Sequence, residues 1–116
     1  MIRQGEIYLV NFGKKYNSEL GKIRPAVIVQ NDFFNKTVEK KLYRQVLVVP
    51  LSTVAIEDDY RLKIKPRDRL EKESYMVANW ICTLDFNHLL LDKGVIAKLD
   101  RDELNELKKR ICNIME

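Results

Sequence analysis

Two oppositely charged side chains near the start of the sequence have the types and spacing to act on a phosphate group. Arg24 stands immediately before Pro25, and Glu19 lies five residues before Arg24. A guanidinium group is planar, permanently charged and able to donate two parallel hydrogen bonds to phosphate oxygens. A nearby carboxylate either takes a proton as a base or simply pairs with the arginine on the surface. On chemistry alone, both interpretations of this pair stay open.

The sequence around Arg24 predicts a junction between a long loop and a buried strand. Residues 13–23 are polar and include two glycines, which is typical of a loop, and long loops in compact domains are often functional. A strand is predicted over 25–30, because its apolar run Ala-Val-Ile-Val is typical of a strand buried on both faces. Pro25 restricts the residue before it to extended geometry, so Arg24 is held in one backbone state.

Short strands and one helix are predicted to support this junction. Besides 25–30, strands are predicted over 6–12, 45–51, 61–65 and 94–99, with 74–78 and 80–84 as a further strand or strand pair and 31–44 as a polar connection. Basic and apolar residues alternate over 61–65, which is typical of a solvated edge strand or of a basic platform. A closing helix begins near Asp100, where Glu103 completes a capping-box pattern, and an apolar stripe follows at helical spacing. We therefore expect a mainly β (α+β) fold, a small barrel with a C-terminal helix, as one domain over residues 1–116.

Composition limits the class of protein. The 116 residues are 46% hydrophobic and 33% charged, as in a soluble globular protein, with no apolar run of membrane-spanning length and no signal-peptide core. Two cysteines do not make a disulfide framework, so a reducing cytoplasm is expected. A single histidine excludes a histidine-rich metal site within one chain, and no metal ligands are assigned.

The positive charge is concentrated in the first half of the chain. Residues 1–56 carry nine Lys or Arg against four Asp or Glu, whereas residues 57–116 carry twelve against thirteen. The half that contains Arg24 therefore favours a polyanionic partner.

Several stretches resemble the MazF/PemK family of toxin–antitoxin endoribonucleases (mRNA interferases). The most specific is residues 24–32, Arg-Pro-Ala-Val-Ile-Val-Gln-Asn-Asp, preceded by Gly-Glu-Ile-Tyr-Leu-Val at 5–10 and Ser-Glu-Leu-Gly at 18–21. Residues 49–53, 74–77 and 83–85 and the closing helix follow in matching order. The resemblance covers nearly the whole chain.

The resemblance implies an SH3-like small β-barrel of the MazF/CcdB type, a homodimer, and metal-independent, sequence-selective cleavage of single-stranded RNA without a cofactor. It also implies a cognate antitoxin whose C-terminal segment covers the RNA groove. By the same resemblance the catalytic arginine is Arg24, the loop glutamate is Glu19, and the strand-end hydroxyl is Ser52, with Thr53 as the neighbouring alternative. RNA supplies its own nucleophile, the 2′-OH, so the reaction requires neither histidine nor metal.

Further residues are predicted to bind RNA by charge, hydrogen bonding or stacking. They are Lys14, Lys15, Tyr16, Lys22, Gln30, Asn31 and Trp80.

One segment departs from the family pattern. Where many members have a Gln and, two residues later, a basic residue, this chain has Trp80 and Cys82. Trp80 either stacks on a base or fills the core or the dimer interface. The lost basic residue leaves open a degenerate member that binds only RNA or the antitoxin. A further alternative is a non-catalytic toxin of the CcdB kind that binds a protein such as DNA gyrase, although it would not need Arg24.

Overall fold

A curled antiparallel sheet and two helices account for most of the residues that the structure describes. The structure is a computed structural model that describes residues 1–13, 23–40 and 43–116. The strands are β1 (Glu6–Asn11), β2 (Ile23–Ile28), β3 (Gln45–Ser52), β4 (Arg61–Ile64), β5 (Ser74–Val77), β6 (Cys82–Asp85) and β7 (Ala97–Lys98). The helices are α1 (Asp32–Glu39) and α2 (Arg101–Ile114).

The strand β3 organises the sheet because it pairs with three other strands. On one edge it pairs with β2, and on the other it pairs first with β6 and then with β5. A 3-10 turn at Ala78–Trp80 separates these last two strands. The full order is β4-β5-β3-β2-β1-β7, with β6 beside β3.

Both faces of the central strands are buried, as their apolar runs predict. Val27 and Val49 belong to a cluster that includes Leu107 of α2. Ile28 and Val48 belong to a second cluster, which includes Val38 of α1. Neighbouring residues of one strand therefore belong to different clusters, and each helix packs against one of the two clusters.

The closing helix confirms the prediction made from its capping pattern. Asp100 accepts a hydrogen bond from the backbone N–H of Glu103, and the Glu103 side chain accepts one from the backbone N–H of Asp100. Leu107 is fully buried, while the end of the stripe at Ile114 is 41% exposed. No helix in the described ranges has the length and apolar character that crossing a membrane requires.

Two of the predicted secondary-structure assignments are wrong. Residues 31–44 are not simply a connection, because they include α1, whose cap is the Asn31 side chain accepting from the N–H of Phe34. The segment is rich in lysine and the two phenylalanines of α1 are exposed, so Val38 is the apolar residue that anchors this helix to the core. The last strand is also shorter than predicted, since pairing with β1 involves only Ala97 and Lys98.

Candidate functional site

The sheet opens at one end between β2 and β3. Pairing between them runs from Ile28 opposite Val48 to Ala26 opposite Pro50 and goes no further. Proline has no backbone N–H to donate, and both Pro25 and Pro50 stand at this end. If the antiparallel register of β2 and β3 is extended by two residues beyond Ala26 and Pro50, Arg24 lies beside Ser52. The loop–strand junction predicted at Arg24 and the strand end predicted at Ser52 are therefore close together.

A groove of about 800 Å³ lies at this open end. Its lining includes four of the residues that the sequence identifies as site candidates, namely Arg24, Ser52, Thr53 and Trp80. Apolar side chains complete the wall, among them Ile23, Val54 and Ile56, of which each is about half exposed. The groove thus combines cationic and hydroxyl groups with an apolar rim, a composition suited to a ligand with both anionic and aromatic parts.

Arg24 is half-buried and directed to the groove from β2. It stands opposite Val10 of β1 in the sheet, so its backbone is fixed by a long strand. Its guanidinium carbon lies 5.7 Å from the centroid of the Trp80 ring, within the range of cation–π attraction. A cation held by a strand and a ring is preorganised, which is the condition for stabilising a charge that develops during a reaction.

Ser52 and Thr53 differ in how they are held. Ser52 is 7% exposed, and its Oγ accepts a hydrogen bond from the backbone N–H of Val54 at 3.1 Å. A hydroxyl that accepts in this way keeps its own proton to donate elsewhere. Thr53 follows the end of β3 and is exposed. Ser52 is therefore the more fixed hydroxyl of the two.

Trp80 lines the groove and does not fill the core. It stands at the end of the 3-10 turn between β5 and β6 and is half-buried. A second guanidinium approaches the same ring, since the guanidinium carbon of Arg61 lies 5.3 Å from its centroid. Of the alternatives drawn from the sequence, the core-filling one is wrong, because the ring packs against charges at the edge of the groove.

Sequence reasoning missed Arg61 as a member of the site. The predicted strand over 61–65 assigns this arginine to an exposed edge or a basic platform. In the structure β4 is indeed the edge strand, but Arg61 pairs with Val77, which immediately precedes the turn that carries Trp80. Its side chain is only 10% exposed. The pairing of β4 with β5 brings the two residues together, and no local pattern in the sequence encodes it.

Other predicted RNA-binding residues lie away from the groove or outside the described ranges. The Gln30 side chain accepts from the N–H of Leu47 and donates to Asn35, while Asn31 caps α1. Neither lines the groove. The remaining candidates fall in the segment 14–22, outside the described residues, and they are Lys14, Lys15, Tyr16, Glu19 and Lys22.

Cys82 lacks the environment of a catalytic thiol. It is half-buried on β6, and burial raises the pKa of its thiol. A raised pKa leaves little thiolate at neutral pH, and the thiolate is the reactive form. His88, the single histidine, is exposed, and its Nδ1 lies 2.7 Å from the carbonyl oxygen of Asn11. Across the described ranges, no group of three or more His, Cys, Asp or Glu is arranged to hold a metal ion.

The fold is that of a class of small β-barrel toxins. An endoribonuclease from a mycobacterial species, solved with its cognate antitoxin, superposes with a TM-score of 0.75 at 20% identity, covering 99% of this chain and 95% of that one. MazF from Deinococcus radiodurans also gives a TM-score of 0.75, at 16% identity over 98% of this chain and 96% of that one. At these identities the likeness defines the fold.

Sequence comparison then defines the family. The profile of PemK-like, MazF-like toxins of type II toxin–antitoxin systems matches residues 3–115. The endoribonuclease MazF of Staphylococcus saprophyticus is 35% identical over 118 aligned positions, covering 96% of this chain and 88% of that protein. The chain belongs to the PemK-like, MazF-like toxin family, and the resemblance seen in the sequence is confirmed.

Proposed function

We propose that this chain is an endoribonuclease toxin that cleaves single-stranded RNA at selected sequences and is neutralised by a cognate antitoxin. The observation that carries the proposal is the convergence of Arg24, Ser52 and Trp80 at one groove. Membership of the family and the 35% identity to an endoribonuclease support the same activity.

The reaction is attack by the 2′-OH of RNA on the adjacent phosphorus. The 2′-OH loses its proton to a base, the new O2′–P bond forms, and the P–O5′ bond breaks as the 5′ oxygen gains a proton. The products are a 2′,3′-cyclic phosphate and a 5′-OH. Arg24 stabilises the charge on the phosphorane oxygens, and Ser52, or Thr53 beside it, donates a hydrogen bond to the same phosphate.

The remaining roles belong to the segment before β2 and to Trp80. Glu19 acts as the base or orients Arg24. Lys14, Lys15 and Lys22 contact phosphates, Tyr16 and Trp80 stack on bases, and Gln30 and Asn31 bind RNA only if their present hydrogen bonds are exchanged. The cleavage requires no metal, because the nucleophile belongs to the substrate and the phosphate charge is met by a guanidinium.

The toxin works as a homodimer, and residues 1–116 form one toxin domain. The antitoxin covers the groove, where the apolar rim and the cations suit a segment that carries both apolar and acidic residues. Because messenger RNA is the substrate, the site of action is the cytoplasm.

The test is cleavage of a defined RNA in the presence of EDTA. The purified chain is incubated with a single-stranded RNA of several hundred nucleotides, and the fragment ends are mapped. We expect discrete fragments with 5′-OH and 2′,3′-cyclic phosphate ends. Arg24→Ala should slow cleavage on the order of 10²–10³-fold, the usual effect of removing one preorganised donor.

Arg44→Ala is the matched control for the loss of one positive charge. Arg44 forms an exposed ion pair with Asp85 and does not line the groove, so this variant should cleave like the original chain. Unchanged cleavage by Arg24→Ala would refute the assignment of the catalytic arginine. Intact RNA with every variant, together with RNA binding, would instead favour the binding-only member suggested by Trp80 and Cys82.

A further inference from the structure

We propose that Arg61 holds a second phosphate of the RNA, next to the one bound by Arg24, and that the Trp80 ring sets the spacing of the two. The proposal rests on the proposed function and adds a binding residue that the sequence does not identify. It assigns to the groove a subsite for two consecutive phosphates with a base between them.

The geometry that supports this subsite is the shared aromatic ring. The guanidinium carbons of Arg24 and Arg61 lie 5.7 Å and 5.3 Å from the Trp80 centroid. Both distances are within the range of about 6 Å at which a cation and a ring attract each other. Arg24, Arg61 and Trp80 all line the groove, and two guanidinium groups on one ring are close enough for neighbouring phosphates of one nucleotide chain to reach both.

The burial of Arg61 leaves hydrogen-bonding capacity for a ligand. Its side chain is 10% exposed, and within the described ranges its Nη1 is buried without a hydrogen-bond partner. A buried charged donor without a partner costs free energy, and an anion that accepts from it recovers that cost. Asp58 stands 3.5 Å from the Nε of Arg61 and so occupies a different edge of the guanidinium.

The backbone around Arg61 is held from two directions. Asp58 accepts a hydrogen bond from the N–H of Tyr60 at 2.9 Å, which closes a tight turn before β4. From α2, the Nη1 of Arg110 donates to the carbonyl oxygen of Arg61 at 2.9 Å and to that of Asp59 at 3.1 Å. Arg61 is therefore placed by the fold, as a preorganised anion site requires.

A non-cleavable oligonucleotide tests the proposal. Trp80 is the only tryptophan in the sequence, so its fluorescence reports binding at this ring. A single-stranded 2′-O-methyl RNA is titrated at several salt concentrations, since blocking the 2′-OH prevents cleavage. Each phosphate contact contributes about 0.7 to the slope of log affinity against log salt for single strands. We expect Arg61→Gln and Arg61→Met to weaken binding on the order of 10-fold or more and to lower that slope by about 0.7.

Two further variants keep the test decisive. Arg44→Gln removes one charge outside the groove and should keep both the affinity and the slope. Arg61→Lys keeps the charge but not the planar fork, so it should keep the slope and lose several-fold in affinity. Arg61→Met keeps an apolar stem of similar length at this position. If neither Arg61→Gln nor Arg61→Met unfolds with a cooperative thermal transition, the binding of Arg61→Lys is the test of the second phosphate site.

The outcomes separate this inference from the proposed function. If the original chain cleaves RNA and a folded neutral variant at 61 binds with the original affinity and slope, the second phosphate site is wrong and the nuclease assignment stands. Arg61→Lys binding as tightly as the original chain also overturns the site. If the original chain neither binds nor cleaves RNA, the proposed function fails and the subsite fails with it.

Discussion

At the scale of single residues, Trp80 separates this chain from the pattern it otherwise follows. The family pattern commonly has a glutamine here, whose amide both donates and accepts hydrogen bonds, whereas a tryptophan offers a flat surface to any base. In the structure the ring also packs against Arg24 and Arg61, so it affects the placement of both cations. The departure therefore predicts altered base preference and not simply lost activity.

Substitutions at Trp80 test this directly. Trp80→Ala should weaken binding of a non-cleavable single-stranded RNA by ~1–3 kcal/mol, the usual value of one stacked base. Trp80→Phe should recover most of that loss because it restores a ring, and Trp80→Gln should restore affinity only for particular sequences. Affinity is measured by anisotropy of a labelled oligonucleotide. Equal binding by all four proteins would contradict a stacking role.

The two hydroxyls at the end of β3 give a second prediction. Ser52→Ala should reduce the cleavage rate on the order of 10²-fold, because Ser52 is the buried and oriented donor. Thr53→Ala, at an exposed position, should reduce it much less. Single-turnover cleavage rates with excess enzyme are the measurement. A larger loss at Thr53 would transfer the role to that residue.

A third prediction concerns the Cys82 thiol. Cys82→Ala should leave cleavage within about twofold of the original rate, because burial raises the pKa of this thiol and the mechanism gives it no step. Alkylation followed by mass spectrometry should modify the exposed Cys112 well before Cys82. A cleavage rate that falls along with modification of Cys82 alone would argue against this view.

At the scale of elements, α2 is tied to the turn between β4 and β5 by an ion pair with a predictable pH dependence. The guanidinium of Arg67 donates two hydrogen bonds to the Glu103 carboxylate, one of them at 2.6 Å, and these hold the pKa of Glu103 below its ordinary value. A carboxyl whose pKa is lowered by folding stabilises the folded state above its unfolded pKa. That contribution is lost as the pH falls through the folded pKa.

The corresponding variant is Glu103→Gln. Near neutral pH it should unfold at a lower temperature than the original chain, because both the ion pair and the capping box are weakened. The difference should shrink as the pH falls below the ordinary glutamate pKa of 4.5 and further through the lowered one. Calorimetric melting at several pH values gives the result. A difference independent of pH would show that the charge of Glu103 contributes nothing.

Local sequence patterns predicted some elements and not others for physical reasons. The capping box of α2 and the apolar runs of the central strands are short-range signals, and both are confirmed. The helix α1 was missed because it is only eight residues long, lies in a lysine-rich segment, and depends on the Asn31 cap and on one buried apolar residue, Val38. In the groove, Arg24 and Ser52 were recognisable from motifs. Arg61 was not, because it is brought to Trp80 by the pairing of β4 with β5, which local sequence does not encode.

At the scale of the whole molecule, raised salt should weaken RNA binding by the toxin but leave its dimer intact. The first half of the chain has an excess of Lys and Arg, and RNA binding through these charges releases counterions, so raised salt weakens it. A homodimer held mainly by apolar burial is insensitive to the same change, since screening does not reduce the hydrophobic effect.

Light scattering and RNA binding, measured in parallel, therefore give the last prediction. At micromolar protein the mass should be twice the 13.7 kDa of one chain, both at low salt and at several-fold higher salt. Over the same range the affinity for a non-cleavable RNA should fall steeply. A mass that halves as the salt rises would show that ion pairs hold the dimer together. A mass of one chain under all conditions would mean that each groove acts alone, and the sites would then have to bind RNA without a partner.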